Sequence, residues 1–336
     1  MQLDLPEKLP LICPGCRART ERGLELHTLE VESQVRVLGD ELIEGVLRCT
    51  GCGRRHPVID GIPILVRDLA ALLRTEALAA LAGSLGPEVL GLLSSAGPDD
   101  GPITHSVAHL GTYLDSSWGD LAEPRLEPLG FAGLLRKLDE RRDTRVPLAL
   151  ELGCCVGRGL SALSRGAERV VGLDRNLAVL RAARQLLSGK DLRYARRSTG
   201  RSTEPASIRP GGQAAPSVQL VCGDALDPPF APELYGRVVA LNLLDNVRSP
   251  VALLHHLAAL TARGGELLIA SPFAFRSGIV DEDERLLRDG AGPLRAELIR
   301  LGFVIEEEEE KLRWTLRHDA RSETTYQTHW LRARKA

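Results

Sequence analysis

The chain has 336 residues, 43% of them hydrophobic, with 43 basic against 45 acidic side chains and a net charge of −2. That length predicts two domains, or one domain with a large appendage, and the even charge excludes a global pull toward nucleic acid or a membrane surface. No apolar run is long enough to span a bilayer, and the opening residues lack the charged-then-apolar pattern of a secretory signal, so a cytoplasmic location is expected. Seven cysteines in that compartment point to metal or chance rather than to disulfides.

Residues 1–67 form the first predicted module. Cys13-Pro-Gly-Cys16 and Cys49-Thr-Gly-Cys52 are two C-x-x-C knuckles, each with a glycine where the chain turns. Two such pairs supply the closed tetrahedral thiolate set of a structural zinc. Four protein ligands leave no open position for water, so a zinc held by Cys13, Cys16, Cys49 and Cys52 is not expected to be catalytic. The alternating segment from Leu29 to Val37 suits a hairpin. After the second knuckle the chain reads Gly53-Arg-Arg-His-Pro-Val-Ile-Asp-Gly-Ile-Pro-Ile-Leu-Val66. Its Pro57 to Pro63 stretch, with the Cys-Pro-x-Cys before it, resembles the small zinc-ribbon proteins that activate tRNA, rRNA and release-factor methyltransferases. The resemblance covers residues 8 to 67 and implies a stabilising partner module, not a catalyst. His56 is expected to be a surface or packing residue.

Residues 68–145 predict a helical connector or lid. Leu69 to Leu93 has helical spacing broken at Gly83 and Gly86-Pro87, which gives two short helices, and residues 94–102 have loop composition. His105, His109 and Tyr113 follow at i, i+4 and i+8 on one helical face. Such a face either lines a substrate pocket or belongs to an ordinary amphipathic helix. Trp118 fits a pocket wall or a core equally well.

From 146 to 336 the pattern alternates strand and helix. Strands are expected at 146–152, 169–174, 218–222, 237–243, 265–271, 303–309 and 325–334, and helices at 158–165, 176–188, 249–262 and 291–301. This predicts an α/β fold with a doubly wound, mostly parallel, seven-stranded sheet. Residues between 192 and 217 read as an insertion, with an Arg-rich stretch from Arg193 to Arg201 that suits either phosphate contact or disorder. Glu306 to Glu310 reads as a solvated strand end that discourages edge pairing.

The turn Leu150-Glu-Leu-Gly-Cys-Cys-Val-Gly-Arg-Gly159 lies between the first strand and helix. Its glycines do not have the G-x-G-x-x-G spacing of a dinucleotide site, and Glu151 would oppose a pyrophosphate. An acid there suits a cationic ligand without phosphate, such as S-adenosylmethionine. Glu151 is assigned to its amino-acid end, Gly153 and Gly157 to close backbone approach, Asp174 with the adjacent Arg175 to the ribose, and Asp224-Ala225 to the adenine. Cys154, Cys155 and Cys222 are expected to be inert packing residues. The series E-x-G-x-x-x-G, then D, then G-D-A resembles class I methyltransferases, and that family implies a final antiparallel strand.

The fourth strand leads into Ala240-Leu-Asn-Leu-Leu-Asp-Asn-Val-Arg-Ser-Pro250, without the N-P-P-(Tyr/Phe) that grips planar amides and exocyclic base nitrogens. Asn242 is expected to face donor or acceptor. Asp245 suits an orienting or basic group, or a helix cap. Leu241-Asn-Leu-Leu-Asp-Asn246, Gly264-Gly-Glu-Leu-Leu-Ile-Ala-Ser-Pro-Phe273 and Leu316-Arg-His-Asp-Ala-Arg321 resemble the methyltransferase domain of ovothiol-synthesising enzymes, which methylates an imidazole nitrogen. Ser271-Pro-Phe-Ala-Phe275 departs from that family's Ser-Pro-Tyr-(Thr/Ser)-Trp, and the acid expected in the insertion is replaced by Ser198-Thr-Gly-Arg201. Arg317 and Arg321 suit a substrate carboxylate, or solvent; Tyr194, Tyr326 and His329 are further candidates. The expected activity is S-adenosylmethionine-dependent N-methylation of a small imidazole or amine. The alternative is an RNA- or translation-factor-modifying methyltransferase with its zinc-ribbon activator fused in cis. The sequence sets no oligomeric state.

Overall fold

Alternation decides which way each central strand faces. In β8 (Val146–Leu152), β9 (Ala167–Asp174), β13 (Tyr235–Leu241) and β14 (Thr261–Ser271), successive apolar residues point to opposite sides. Leu150, Val171, Val238 and Leu267 enter one core. Their neighbours Ala149, Val170, Val239 and Leu268 enter another. A sheet buried on both faces needs helices on both. α6 (Pro250–Leu260) and α7 (Ala291–Arg300) cover the first side with Leu253, Leu257, Leu294 and Leu298. α3 (Ala132–Asp139), α4 (Arg158–Leu163) and α5 (Leu177–Leu187) cover the second with Leu134, Leu160 and Leu180. The computed structural model describes all residues except 4–8, 17, 21–22, 75–84, 99–100, 126–129, 216 and 282–289.

With β12 (Val218–Gly223), β15 (Phe303–Arg317) and β16 (Glu323–Lys335), the expected seven strands are present. Their order is β12-β9-β8-β13-β14-β16-β15, and only β16 runs antiparallel to its neighbours. Chain order reverses on either side of β8, which opens a crevice at its carboxyl end.

The sheet does not stop at β12. The amino-terminal strands β3 (Leu29–Leu38), β4 (Glu41–Cys49), β5 (Arg55–Ile59) and β6 (Ile62–Leu65) form an antiparallel meander. A short separate hairpin, β1 (Ala18–Thr20) and β2 (Gly23–Glu25), precedes it. β6 then pairs in parallel with β12, Ile64 opposite Cys222 and Leu65 opposite Gly223, making one eleven-stranded sheet. The cores merge as well: Leu9, Leu11, Leu47 and Leu65 share a cluster with Phe230, Leu150 and Val221. Arg181–Asp60 and Arg184–Glu41 ion pairs tie α5 to the module.

A third layer comes from the connector. α1 (Pro87–Ala96) and α2 (Pro102–Trp118) pack on a small sheet of β10 (Leu192–Arg197), β11 (Thr203–Ile208) and β7 (Ala122–Glu123). Leu114, Trp118, Tyr194 and Ile208 pack against Val179 and Leu186 of α5. Two expectations are corrected here. The helix extends through Ala96, so the loop composition of 94–102 belongs partly to a helix end; residues 99–100, like 75–84 of the first expected helix, lie outside the described residues. The insertion is an ordered hairpin. Its buried Arg196 is compensated by Asp115 of α2 at 3.1 Å, and Tyr194 also bonds Asp115, so charged composition there does not mean exposure.

β15 also runs eight residues past its expected end at 309. Glu306 to Glu310 therefore sit within an edge strand, where Glu306 to Glu309 pair with Arg332 and Arg334 of β16, Lys137 and Arg136 of α3 and Arg295 of α7, and Glu310 meets His329 of β16. Among the described residues no helix is long and apolar enough to cross a membrane.

Candidate active site

A cavity of about 1260 Å³ opens at the carboxyl ends of β8, β9, β12 and β13. The glycine turn forms its floor. Gly153 and Gly157 adopt φ of +75° and +77°, the left-handed region where a side chain is strained. A Cβ on Gly159 would lie 2.4 Å from a Glu151 carboxylate oxygen, so only glycine lets helix α4 start this close to the acid. Trp118 locks the turn from outside: its indole N–H donates to the Val156 carbonyl at 2.9 Å. The Arg158 guanidinium stacks 4.5 Å above the same indole and pairs with Asp120 at 2.6 Å. Trp118 is thus a supporting core residue.

Glu151 is 2% exposed, and its Oε2 has no hydrogen-bond partner. Burial, reinforced by the nearby Asp174 charge, pushes its carboxyl well above the usual carboxylate range. Asp174 ends β9 with Oδ2 accepting the Cys155 N–H and Oδ1 accepting the Asn176 N–H, both at 2.9 Å. Burial raises this carboxyl too, against the lowering effect of those backbone donors. The carboxylate lines the cavity and keeps acceptor capacity beyond these backbone bonds. Asp224 follows β12, with Oδ1 capping the Leu226 N–H at 2.9 Å, and Ala225 is buried beside it. Asn242 follows β13 at φ +53°, a conformation asparagine tolerates better than most residues. Its Oδ1 is buried without a partner.

Glu151, Gly153, Asp174, Arg175, Asp224, Ala225 and Asn242 all line this one cavity. Gly157 shapes the turn from behind. The other expected site residues stand elsewhere. Asp245 is buried in a 3-10 turn behind the wall, where it accepts the Ser271 hydroxyl at 3.2 Å; that hydroxyl in turn accepts the Phe273 N–H. Tyr194 is spent on the buried Asp115–Arg196 cluster. Arg317 pairs with Glu323 at 3.6 Å, and Arg321 is exposed at the β15–β16 turn. None of these three side chains lines the cavity.

The sequence reading missed several cavity walls. Leu65 to Asp68, at the end of the amino-terminal module, line one rim, where Arg67 pairs with Asp227 at 3.2 Å. Phe131 and Trp314 line another side. The alternation Leu312, Trp314, Leu316 signals an inward face, but it lay beyond the strand end that was expected. Of the helical face, His109 and Tyr113 reach the cavity, with their rings 4.6 Å apart.

The four amino-terminal cysteines converge. Their sulfurs all lie within 4.8 Å of one another, with Cys13–Cys52 at 3.9 Å and Cys16–Cys49 at 3.3 Å. A tetrahedral zinc with ~2.3 Å bonds to sulfur requires sulfurs about 3.8 Å apart, so the donor set fits that ion. The Cys52 N–H points at the Cys49 sulfur at 3.4 Å, as a knuckle requires. His56 is buried with Nε2 at 3.7 Å from the Cys13 sulfur, and four thiols already complete the set, so it packs beside the cluster. Cys154 and Cys222 are buried and Cys155 is half-buried, and Cys154 and Cys155 line the cavity in the glycine turn.

Residues 150–269 match the family model described as "Methyltransferase domain". No curated protein matches the chain. Among solved structures, the N-methyltransferase NodS from Bradyrhizobium japonicum in complex with S-adenosyl-L-homocysteine is similar at 16% identity, covering 68% of this chain and 98% of that one, with a TM-score of 0.43. Magnesium protoporphyrin IX methyltransferase (ChlM) from Synechocystis with bound S-adenosylmethionine is similar at 17% identity, covering 61% and 81%, with a TM-score of 0.40. With the strand order, the glycine turn and the family match in agreement, the chain carries a class I, S-adenosylmethionine-dependent methyltransferase domain.

Proposed function

We propose that the protein N-methylates a small, planar nitrogen compound using S-adenosylmethionine, and that its four clustered cysteines hold a structural zinc. One observation carries the reading: Glu151, Asp174, Asp224 and Asn242 converge on a single cavity, two of them with buried oxygens lacking any partner. Glu151 answers the ammonium of the donor's amino-acid end, Asp174 the ribose hydroxyls, and Asp224 with Ala225 the adenine. The donor supplies a methyl group already activated by its sulfonium. The chain's own work is to align the two partners and exclude water. The acceptor's nitrogen lone pair forms the new N–C bond and the S–C pair returns to sulfur; the cationic product, which for an imidazole carries its remaining proton on the other ring nitrogen, gives that proton to water on release.

At about 1260 Å³ the cavity exceeds the ~300–1000 Å³ typical of one small ligand, which suits donor and small acceptor side by side. An imidazole is the favoured acceptor. The resemblance of 241–246, 264–273 and 316–321 to the ovothiol-type methyltransferase domain supports it, and a free imidazole is largely unprotonated near neutral pH, so it needs no strong base. The Arg-rich hairpin speaks against RNA. Arg193 is paired with Glu88, Arg196 is buried on Asp115, and Arg197 and Arg201 donate to the Gly200 and Gly97 carbonyls.

The fusion reading keeps one supporting observation, the parallel pairing of β6 with β12, which attaches the cysteine module as a partner strand. A labelled-donor transfer screen against histidine derivatives, amines and total RNA, with calorimetry of S-adenosylhomocysteine, tests both. Incorporation into RNA alone overturns the small-molecule reading, and absence of S-adenosylhomocysteine binding overturns the methyltransferase activity itself.

A further inference from the structure

We infer that the acceptor subsite is an uncharged aromatic wall built by His109 and Tyr113 of α2, Phe131 and Trp314 of β15, and that it selects a neutral planar ring over an ammonium or a carboxylate. This rests on the methyltransferase reading above.

The wall is one construction, although its parts are distant in sequence. Ser116 donates its hydroxyl to the Thr315 carbonyl at 2.7 Å, which pins α2 to β15. The Thr315 N–H donates to the Gly130 carbonyl at 3.1 Å, which brings Phe131 alongside. Behind the wall, Tyr326 stacks on Trp314 with centroids 5.1 Å apart and fixes the indole plane. Tyr113 and Phe131 pack against the same hydrophobic cluster as Trp314. His109 lies against Tyr113 and stacks on His105 at 6.0 Å.

Its chemistry differs from that of the donor side. The acids lining the cavity at the strand ends, Glu151, Asp174 and Asp224, come from β8, β9 and the turn after β12. The wall presents rings and the Ser117 hydroxyl, with no carboxylate and no guanidinium among the five side chains from α2, residue 131 and β15. Burial, with the neighbouring His105 charge, lowers the His109 imidazole to about 4, so this ring is neutral at pH 7. Tyr113 is held protonated, chiefly by burial and by the Cys155 group. An ammonium or carboxylate pressed against such a surface loses its hydration and finds no counter-charge on the wall itself; Arg276, Asp174 and Asp245 act on Tyr113 only from outside it. A neutral ring stacks there, and the unpartnered Asn242 Oδ1 at the end of β13 offers an acceptor for a ring N–H.

The test uses the full chain saturated with S-adenosylhomocysteine at pH 8. Imidazole, butylammonium chloride and sodium acetate are the probes, followed by saturation-transfer NMR. Imidazole is expected to bind, and the two charged probes to bind at least tenfold more weakly. Tyr113→Leu and Trp314→Leu should each weaken imidazole tenfold or more and leave S-adenosylhomocysteine affinity within threefold. His109→Gln, a milder change that keeps the fold if Trp314→Leu does not, should weaken imidazole at least threefold. Imidazole binding indifferent to Tyr113→Leu and His109→Gln, with S-adenosylhomocysteine still bound, overturns the subsite alone; so does equal binding of butylammonium or acetate. Failure of the unaltered protein to bind S-adenosylhomocysteine overturns the underlying methyltransferase reading and the subsite with it.

Discussion

Glu151→Gln should move stability and affinity in opposite directions. In the ligand-free protein the carboxyl is 2% exposed, one oxygen has no partner, and burial together with Asp174 holds it well above the usual carboxylate range. For an acid raised on folding, the stability it contributes is fully present below its unfolded value of about 4.3 and is lost as pH rises through its folded value. Glutamine keeps the volume and cannot ionise. At pH 8 the parent must hold this carboxyl protonated, at about 1.4 kcal/mol for each pH unit between its unfolded and folded values, so the ligand-free variant should exceed the parent in stability, with the gap closing toward pH 4. Binding should respond the other way. A hydrogen bond to a charged group contributes about 1.5–3 kcal/mol, so loss of the carboxylate–ammonium contact should weaken S-adenosylmethionine about ten- to hundredfold. Urea denaturation at pH 5 and pH 8 reads the first effect and calorimetry the second. A variant that binds the donor like the parent, or that is less stable without ligand at pH 8, refutes the placement of the ammonium on Glu151.

Gly157→Ala forces a side chain into φ +77°, with its Cβ 3.0 Å from Ala183 and Leu187 atoms, and should cost about 1–3 kcal/mol by chemical denaturation while weakening S-adenosylhomocysteine. Cys49→Ser should abolish stoichiometric zinc by metal analysis and lower the melting temperature; because β6 pairs with β12, donor affinity should fall as well. His109 is lowered on folding from about 6.5 to about 4, so the parent should lose stability relative to His109→Gln as pH falls across that window, by roughly 2–3 kcal/mol in denaturation at pH 7 and pH 4. Trp118→Phe removes the donor to the Val156 carbonyl, and the orphaned buried oxygen should cost about 1–3 kcal/mol in the same assay.

The central sheet was legible because its strands are short apolar runs between turn residues, and a run such as Val146 to Leu150 has few other readings. Glu151, Asp174, Asp224 and Asn242 were legible for a topological reason: in a doubly wound sheet, strand ends near the reversal face one crevice, so position along the chain fixes position in space. Tyr194, Arg317 and Arg321 had no such constraint. They were selected for their functional groups, and side-chain direction depends on register that the sequence alone does not fix. The hairpin at 192–208 was obscured because Arg196 is a charged residue facing inward, tolerated only because Asp115, far away in sequence, meets it. The parallel β6–β12 pair was hidden in the same way, since a continuous apolar segment such as Ile62 to Leu65 does not name its neighbour.

That pair has a consequence for the order of events during synthesis. The four strands of the meander are made early, yet the strand that flanks β6 is not complete until Gly223 has left the ribosome. Closing a loop from residue 64 to residue 222 carries an entropic cost of about 4–5 kcal/mol beyond a constant, and contacts of such separation form slowly. Until then Ile62, Ile64, Leu65 and the apolar side of the cysteine module have no cover. A nascent chain held at this stage exposes an unpaired edge strand, the species most prone to wrong pairing with another chain. Expression yield should therefore respond more to substitutions in β12 than their share of the surface suggests, because they delay the point at which the amino-terminal module is protected.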